Sequence, residues 1–418
     1  MFKFNENTPK KIIFNSLNVA KLIYNNIIVW FEKVLKTVTG YPITLENSTG
    51  DDLVDYKIYG NSVQNGEPTP ENSVEVESVG DYDSSKNKYI VPIKIEGKNM
   101  LDYISNLNAS KNGLTSVIND DGTITTTGKP TSNWTQITSR IEITDILEDE
   151  ETYTVSKMGT QSKIYLEVRA VNIETNEITY YSGSRTAKTF TVDKSTYKYD
   201  TSIITNTVNL WGTEELTITE GYMLEKGDTS TEFEPYYEPK IYNIYLDEPL
   251  RKIGDYTDYI DFENKKVVRA IGKLDLSSVS WRMPATNDTN AVFCNLVNTV
   301  ICDFKSDTEK SLCTHFTWKT KASGYQNALN RGVGLYPYKD GNYKYIYFVT
   351  PLEIASSKDG WVRFVEGENM ELYYILNEEK EEQIELPKIA TNKGTNTTKI
   401  NTNIEPSNMK VEYYAKEV

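Results

Sequence analysis

The sequence predicts an all-β protein, with tandem jelly-roll-like β-sandwich domains behind a small N-terminal β-hairpin region. Three observations predict it. Short runs of alternating apolar and polar residues recur along the chain, Gly, Asn and Asp turns separate them, and Tyr outnumbers Phe by 30 to 12. Alternation sets one face of a strand on a core and the other in water. Tyrosine suits such half-buried faces, because its ring packs while its hydroxyl stays wet.

At 418 residues the chain exceeds what one core usually serves, and about two to four domains are expected. Residues 1–40 open with a repeat of period ten, KIIFNSLNVA then KLIYNNIIVW, in which Ile13-Phe14-Asn15 aligns with Ile23-Tyr24-Asn25. An apolar pair, a turn with Asn at a φ-tolerant position and a second short strand make hairpins. Such hairpins bury no core alone and are expected to dock on a sister chain or a neighbour. Phe31 to Val38 is read as one or two helical turns.

Residues 41–96 read as a β connector. GEPTPEN forces an extended, sheet-edge path, and Val74, Val76, Val79, then Ile90, Val91, Ile93 and Ile95, suggest two strands around the polar loop Asp81 to Lys88. Residues 97–239 read as one sandwich. Its hairpin turns at Asp121-Gly122, and strands follow at Tyr153 to Ser156, Ile164 to Val171, Ile178 to Tyr181, Thr189 to Val192, Val208 to Leu210 and Leu216 to Thr219. In KIYLEVRAV the alternation assigns Ile164, Leu166 and Val168 to the core, and Tyr165, Glu167 and Arg169 to water. Pro235 and Pro239 then mark a domain exit, since proline neither donates to a ladder nor adapts its φ. The last unit, 240–418, is strand-dominated, with a tyrosine hairpin of Tyr336 and Tyr338 before Lys339-Asp340-Gly341-Asn342 and Tyr343, Tyr345 and Tyr347 after it.

The net charge of −15 argues against a phosphate-binding surface, so neither nucleic acid nor an anionic membrane is an expected partner. No apolar run is long enough to span a bilayer. MFKFNENTPKK has no apolar stretch of a signal peptide behind it, and Cys294, Cys302 and Cys313 leave at least one thiol unpaired; both point to synthesis in a reducing cytosol. Cys313 and His315, two apart, would share a strand face as a nucleophile and base would, but no nucleophile elbow precedes them and the cysteine spacings fit no zinc pattern. They read as core. Glycoside hydrolysis needs only two suitably spaced carboxylates, which 60 acids satisfy by accident, and the repeats of a long β-helix are absent. The expectation is a protein that is not an enzyme and carries no cofactor or metal. The turn NDDG at 119–122 reads as a plain turn rather than a calcium loop.

Five stretches carry a resemblance. LEKGDTSTEFEPY, with GKNM at 97–100, resembles carbohydrate-binding-module-like sandwiches of phage tail proteins. LDEPLRKIGDYTDYIDFENKKVVR resembles the following segment in phage tail-fibre and receptor-binding proteins of Gram-positive hosts. YKIYGNSVQNGEPTPENSVEVESVGDY resembles a connector of baseplate and tail-fibre proteins, with Ser73 where a proline is usual. MELYYILNEEKEEQIELP resembles their C-terminal region, and the likeness is weakest from Ala270 to Gly367. The resemblance implies a virion tail protein made in the host cytoplasm, homotrimeric, attached to the baseplate and recognising a host cell-surface glycan. Its alternatives are a purely structural baseplate or tail-tip subunit and, third, a cell-wall polysaccharide depolymerase.

Sugar binding needs an exposed ring to stack on a pyranose face, with amides and carboxylates to read its hydroxyls. Trp134, in PTSNWTQIT, is the first candidate, with Trp211, Tyr180 and Tyr181 behind it. Trp281, Trp318, Tyr325 and the tyrosine hairpin would form a second platform. Each has a plain alternative as a packing residue.

Overall fold

The computed structural model describes residues 12–14, 17–19, 21–24, 27–31, 33–39, 43–47, 54–103, 105–159, 161, 163–183, 186–205, 215–295, 305, 310–340, 343–390, 392, 394–400 and 410–416. The protein is all-β: 35 strands and two α-helices lie among these residues, and every pairing between these strands is antiparallel. Both N-terminal hairpins form, Ile12–Phe14 with Leu17–Val19 and Lys21–Tyr24 with Ile27–Phe31.

The two ends of the chain build one sandwich, here termed the frame. One sheet holds Asp81–Asp83, Lys88–Gly97, Lys240–Leu246, Asn396–Ile400 and Ile43–Asn47. The other runs Leu312–Cys313, Leu372–Gln383, Lys266–Leu274, Tyr259–Asp261, Val54–Tyr59, Lys410–Lys416 and Lys33–Thr39. Ile58, Val91, Ile93, Ile244, Ile260, Val267 and Val411, all fully buried, fill the space between them. Residues 41–96 are therefore half of a core that strands after Lys240 complete, and the linear boundary at 240 separates strands that share a sheet. Turn chemistry is local and marks where strands end; long-range pairing leaves no such mark. Phe31 to Val38 likewise forms no helical turn. Lys33–Thr39 is a strand paired along Lys410–Lys416, a partner nearly the whole chain away.

Two units are inserted into the frame, each between strands that are antiparallel neighbours. Lys88–Gly97 and Lys240–Leu246 pair from Tyr89 opposite Leu246 to Ile95 opposite Lys240, so the chain leaves and returns at one point. The residues between them fold around a core of their own, Leu101 to Leu224. In the same way Lys266–Leu274 pairs with Leu372–Gln383, ending at Leu274 opposite Leu372, and residues 275–371 lie between.

The first insert holds three sheets. Its hairpin Leu114–Ile118 with Ile124–Gly128 turns where expected: Gly122 has φ +80°, and Asp121 Oδ1 accepts from the Thr123 N–H at 3.0 Å and hydroxyl at 2.6 Å. Tyr197–Thr205 is a strand the sequence reading passed over, and it pairs along all of Ile164–Asn172. Its inward Tyr199, Thr201 and Ile203 mix polar with apolar residues, which blurs the alternation. Val208 to Leu210 lies outside the described residues.

In the second insert Trp281–Thr286, Asn290–Asn295, Tyr343–Pro351 and Gly334–Asp340 form one sheet. Helix Tyr325–Arg331 covers one face, over Val292, Cys294, Tyr336, Tyr347 and Val349; helix Lys358–Gly367 covers the other, over Phe293 and Phe348. Successive residues of a strand point to opposite faces, so Val292 and Cys294 meet one helix and Phe293 the other. Ser357 caps the second helix, its hydroxyl accepting from the Gly360 N–H at 3.1 Å, and Trp361 beneath it stacks on Phe293 at 4.8 Å.

The segment LDEPLRKIGDYTDYI locks the frame. Leu250 bridges Val79, and a Cβ on Gly60 would sit 2.6 Å from the Leu250 carbonyl carbon, so only glycine allows that approach. Asp258 is fully buried: Oδ1 accepts from the Ala270 and Ile271 N–H groups at 2.8 and 2.9 Å, and Oδ2 from Arg251 N–H at 3.0 Å. The pairing register with Leu372–Gln383 shifts between Arg269 and Ile271, and the carboxylate serves the two amides that the bulge turns inward. Arg269 beside it donates to Pro249 and Glu248 carbonyls at 2.7 and 2.9 Å.

Candidate functional site

A cavity of about 520 Å³ opens where the second insert meets the frame. Its volume suits a small ligand, for which roughly 300 to 1,000 Å³ is usual. Three segments line it: residues 62–68, residues 252–254 and residues 310–318. The side chains that bear on binding are Gln64, Glu67, Lys252, Lys310, Thr317 and Trp318.

Local chemistry sets this wall. In GEPTPEN the prolines hold the chain extended and lack N–H groups, so their carbonyls are what the segment offers. Pro68 O accepts from the Thr317 hydroxyl at 3.0 Å. Gln64 Nε2 donates to Val74 O at 3.1 Å and to Cys313 O at 2.9 Å, which ties the frame loop to the insert. Trp318 is placed by its neighbours: Thr317 O accepts from Leu335 N–H at 3.0 Å, and Lys319 N–H reaches Leu335 O at 2.8 Å. Its indole is half-buried against the core of the second insert, and among the described residues Nε1 has no hydrogen-bond partner. Glu67 and Lys310 are exposed and Lys252 half-buried. Behind the 252–257 hairpin, Lys305 lies 4.4 Å over the Tyr256 ring. The cavity thus combines an aromatic wall, an amide and charges of both signs.

Cys313 and His315 are core residues at its rear. Burial pushes the Cys313 thiol up to about 12 and lowers the His315 imidazole below its ordinary value. His315 Nδ1 lies 2.9 Å from the Thr314 hydroxyl, and its ring meets Phe364 edge-on. Burial also raises the Cys294 thiol, whose Sγ accepts from Arg282 Nε at 3.1 Å. Cys302 lies outside the described residues. Among the described residues no three His, Cys, Asp or Glu side chains are grouped to hold a metal.

The first insert presents a second polar surface, where the expected water-facing side of Ile164–Asn172 is largely covered. Tyr165 and Glu167 are 6% and 5% exposed. Arg140 spans Asp200 and Glu167, donating at 2.9 and 2.8 Å, and Arg169 forks onto Asp200 from Nε at 2.8 Å and Nη2 at 2.5 Å. Alternation placed the right residues on this face; the arginines that cross it explain why it is not wet. Tyr180 stands opposite Arg169 and is 56% exposed.

The candidate aromatics do not converge. Trp134 is half-exposed in a turn with φ +52°, beside the end of Tyr197–Thr205, since Thr205 N–H donates to Thr135 O. Tyr180 shares a row with Arg169 and Asp200, five residues back along that strand, or about 17 Å at 3.3 Å per residue. Tyr181 packs on the core, stacked on Phe190 at 5.0 Å. Trp211 lies outside the described residues. The second platform is not formed. Trp281 is 4% exposed, edge-on to Phe348 and Trp361, with Nε1 donating to Leu276 O at 3.3 Å. Its strand puts it under helix Lys358–Gly367, which the sequence reading did not foresee. Tyr336 and Tyr347 are buried beneath the other helix, where Tyr325 is exposed at the first turn. Trp318 alone of that set lines the cavity. Gln64, Lys252 and Lys310 were missed; the paired prolines of GEPTPEN are the one local signal near them.

No family model, curated protein or solved structure matches the chain.

Proposed function

We propose that the chain is a non-enzymatic phage or prophage tail protein, homotrimeric and baseplate-attached, that recognises a host cell-surface glycan. The observation that carries the reading is the cavity between frame and second insert. It pairs the half-buried Trp318 indole with the Gln64 amide, Glu67, Lys252 and Lys310, the mixture of stacking surface and hydrogen-bonding groups that sugars require. The exposed Trp134 and Tyr180 on the first insert offer weaker second contacts. In a trimer such sites add by effective concentration, so individually weak contacts give firm adhesion to a polysaccharide surface. The N-terminal hairpins, too small to bury a core, supply the attachment surface.

Co-sedimentation of the full chain with purified cell-wall polysaccharide tests the reading. Saturable binding that Trp318→Ala weakens supports it. Absence of binding to every wall tried, from protein that still joins tails, transfers the proposal to a structural baseplate subunit. Release of reducing ends would make it a depolymerase.

A further inference from the structure

The inner edge of the first insert holds a lysine and a side-chain amide that both bind one carboxyl, Glu220. Lys157 ends strand Thr152–Lys157, and its register partner Tyr222 begins the strand after Glu220. The two side chains are therefore brought together by pairing, and both are enclosed, at 2% and 6% exposure. Lys157 Nζ lies 2.9 Å from each Glu220 oxygen. Gln161, four residues further along the chain, donates from Nε2 to the same Oε2. Its carbonyl oxygen accepts two backbone N–H groups, from Lys163 at 2.6 Å and Ile164 at 3.1 Å. Gly159 leaves the room: a Cβ there would already stand 3.0 Å from Glu220 Oε1.

These are the parts of an acyl transfer. Two preorganised N–H donors on a carbonyl oxygen stabilise the charge that grows there in a tetrahedral intermediate. An amine beside a carboxylate in a dry site has its base at hand. The leaving nitrogen touches that same carboxyl. We infer that Lys157 and Gln161 form an intramolecular isopeptide bond, with Glu220 as the proton carrier.

The step balances without any co-reactant. Glu220 takes a proton from the Lys157 ammonium, and the neutral Nζ attacks Gln161 Cδ. The Nζ–Cδ bond forms, the carboxyl proton passes to Nε2, and the Cδ–Nε2 bond breaks. The new amide sheds its extra proton through Glu220, so ammonium leaves and nothing is oxidised or reduced. Burial holds the Glu220 carboxyl above its ordinary range, which favours the neutral acid that the transfer passes through. The product staples the end of strand Thr152–Lys157 to a residue three positions before strand Ile164–Asn172.

Intact mass of the full chain, unfolded in denaturant, reads the bond directly. The expected mass is lighter than the sequence by one ammonia, with tryptic cleavage absent after Lys157 and the loss mapped to a linked peptide holding Lys157 and Gln161. Glu220→Gln and Lys157→Arg are expected to have their full sequence mass. A wild-type chain of full mass, cleaved normally after Lys157, overturns the inference. Ammonia loss mapped to any other site, or an unchanged loss in Lys157→Arg, does the same.

Discussion

Replacing Asp258 by alanine is expected to unfasten the frame while leaving both inserts folded. The carboxylate is fully buried and meets three backbone N–H groups, at 2.8, 2.9 and 3.0 Å, with Arg269 Nη1 at 3.3 Å. Removing it strands those amides and leaves a 4% exposed guanidinium without its carboxylate partner Asp258. Breaking a buried ion pair from one side costs about 3 to 5 kcal/mol. Orphaned amides cost about 1 to 3 kcal/mol each, of which water entering the space would recover part. The lower end, about 3 kcal/mol, already corresponds to a loss of protection of order 100-fold. Tryptophan fluorescence is a poor probe, because the Trp residues described outside the N-terminal hairpins all lie in the inserts. Hydrogen exchange at Lys266–Leu274 and Tyr259–Asp261 is the assay. Those strands should lose protection by that factor in Asp258→Ala, less in Asp258→Asn, which keeps one acceptor, and not at all in the exposed control Asp255→Ala. Protection in Asp258→Ala within a few-fold of wild type would refute the reasoning.

Two further outcomes follow from the insertions and their contacts. Residues 98–239 expressed alone should unfold cooperatively, and the chain with those residues replaced by a two-residue turn between Gly97 and Lys240 should keep its frame, because the cores are separate and the flanking strands are neighbours; aggregation or molten behaviour of both pieces would contradict this. Lys226 holds the Glu148 carboxyl below its ordinary value, and Lys399 of the frame adds to it. A depressed carboxylate contributes stability that is present above its unfolded value and lost as pH falls through the folded one. The difference in denaturant midpoint between wild type and Glu148→Gln should thus be small but present at neutral pH, and vanish below the usual carboxylate range; a difference that grows in acid would oppose the assignment.

Local features of the fold were legible in the sequence. Alternation located Ile164–Asn172 and Leu216–Glu220, Asp121-Gly122 located its hairpin, and the tyrosine spacing located Gly334–Asp340 with Tyr343–Pro351. Features set by distant partners were not. Nothing near Lys33 indicates that Lys410–Lys416 will pair with it, and nothing near Lys240 indicates a return to Lys88–Gly97. Helix Lys358–Gly367 is short, and its apolar stripe of Trp361, Val362, Phe364 and Val365 can be read as a strand as easily. For the site, residue type pointed to Trp318 but also to Trp281, which differs only in what packs over it. Gln64 and Lys252 come to the cavity from segments far apart in sequence, so spacing carried no trace of them.

The most direct test of the glycan reading is calorimetric titration of the full chain with soluble fragments of host cell-wall polysaccharide, comparing wild type with Trp318→Ala, Lys252→Ala and the distant control Trp134→Ala. The account predicts binding by the wild type, a loss of at least tenfold in Trp318→Ala and Lys252→Ala, and a smaller change in Trp134→Ala. Equal affinity in wild type and Trp318→Ala, with the variant folded, would contradict the assignment of the cavity; no heat with any fragment would contradict glycan recognition itself.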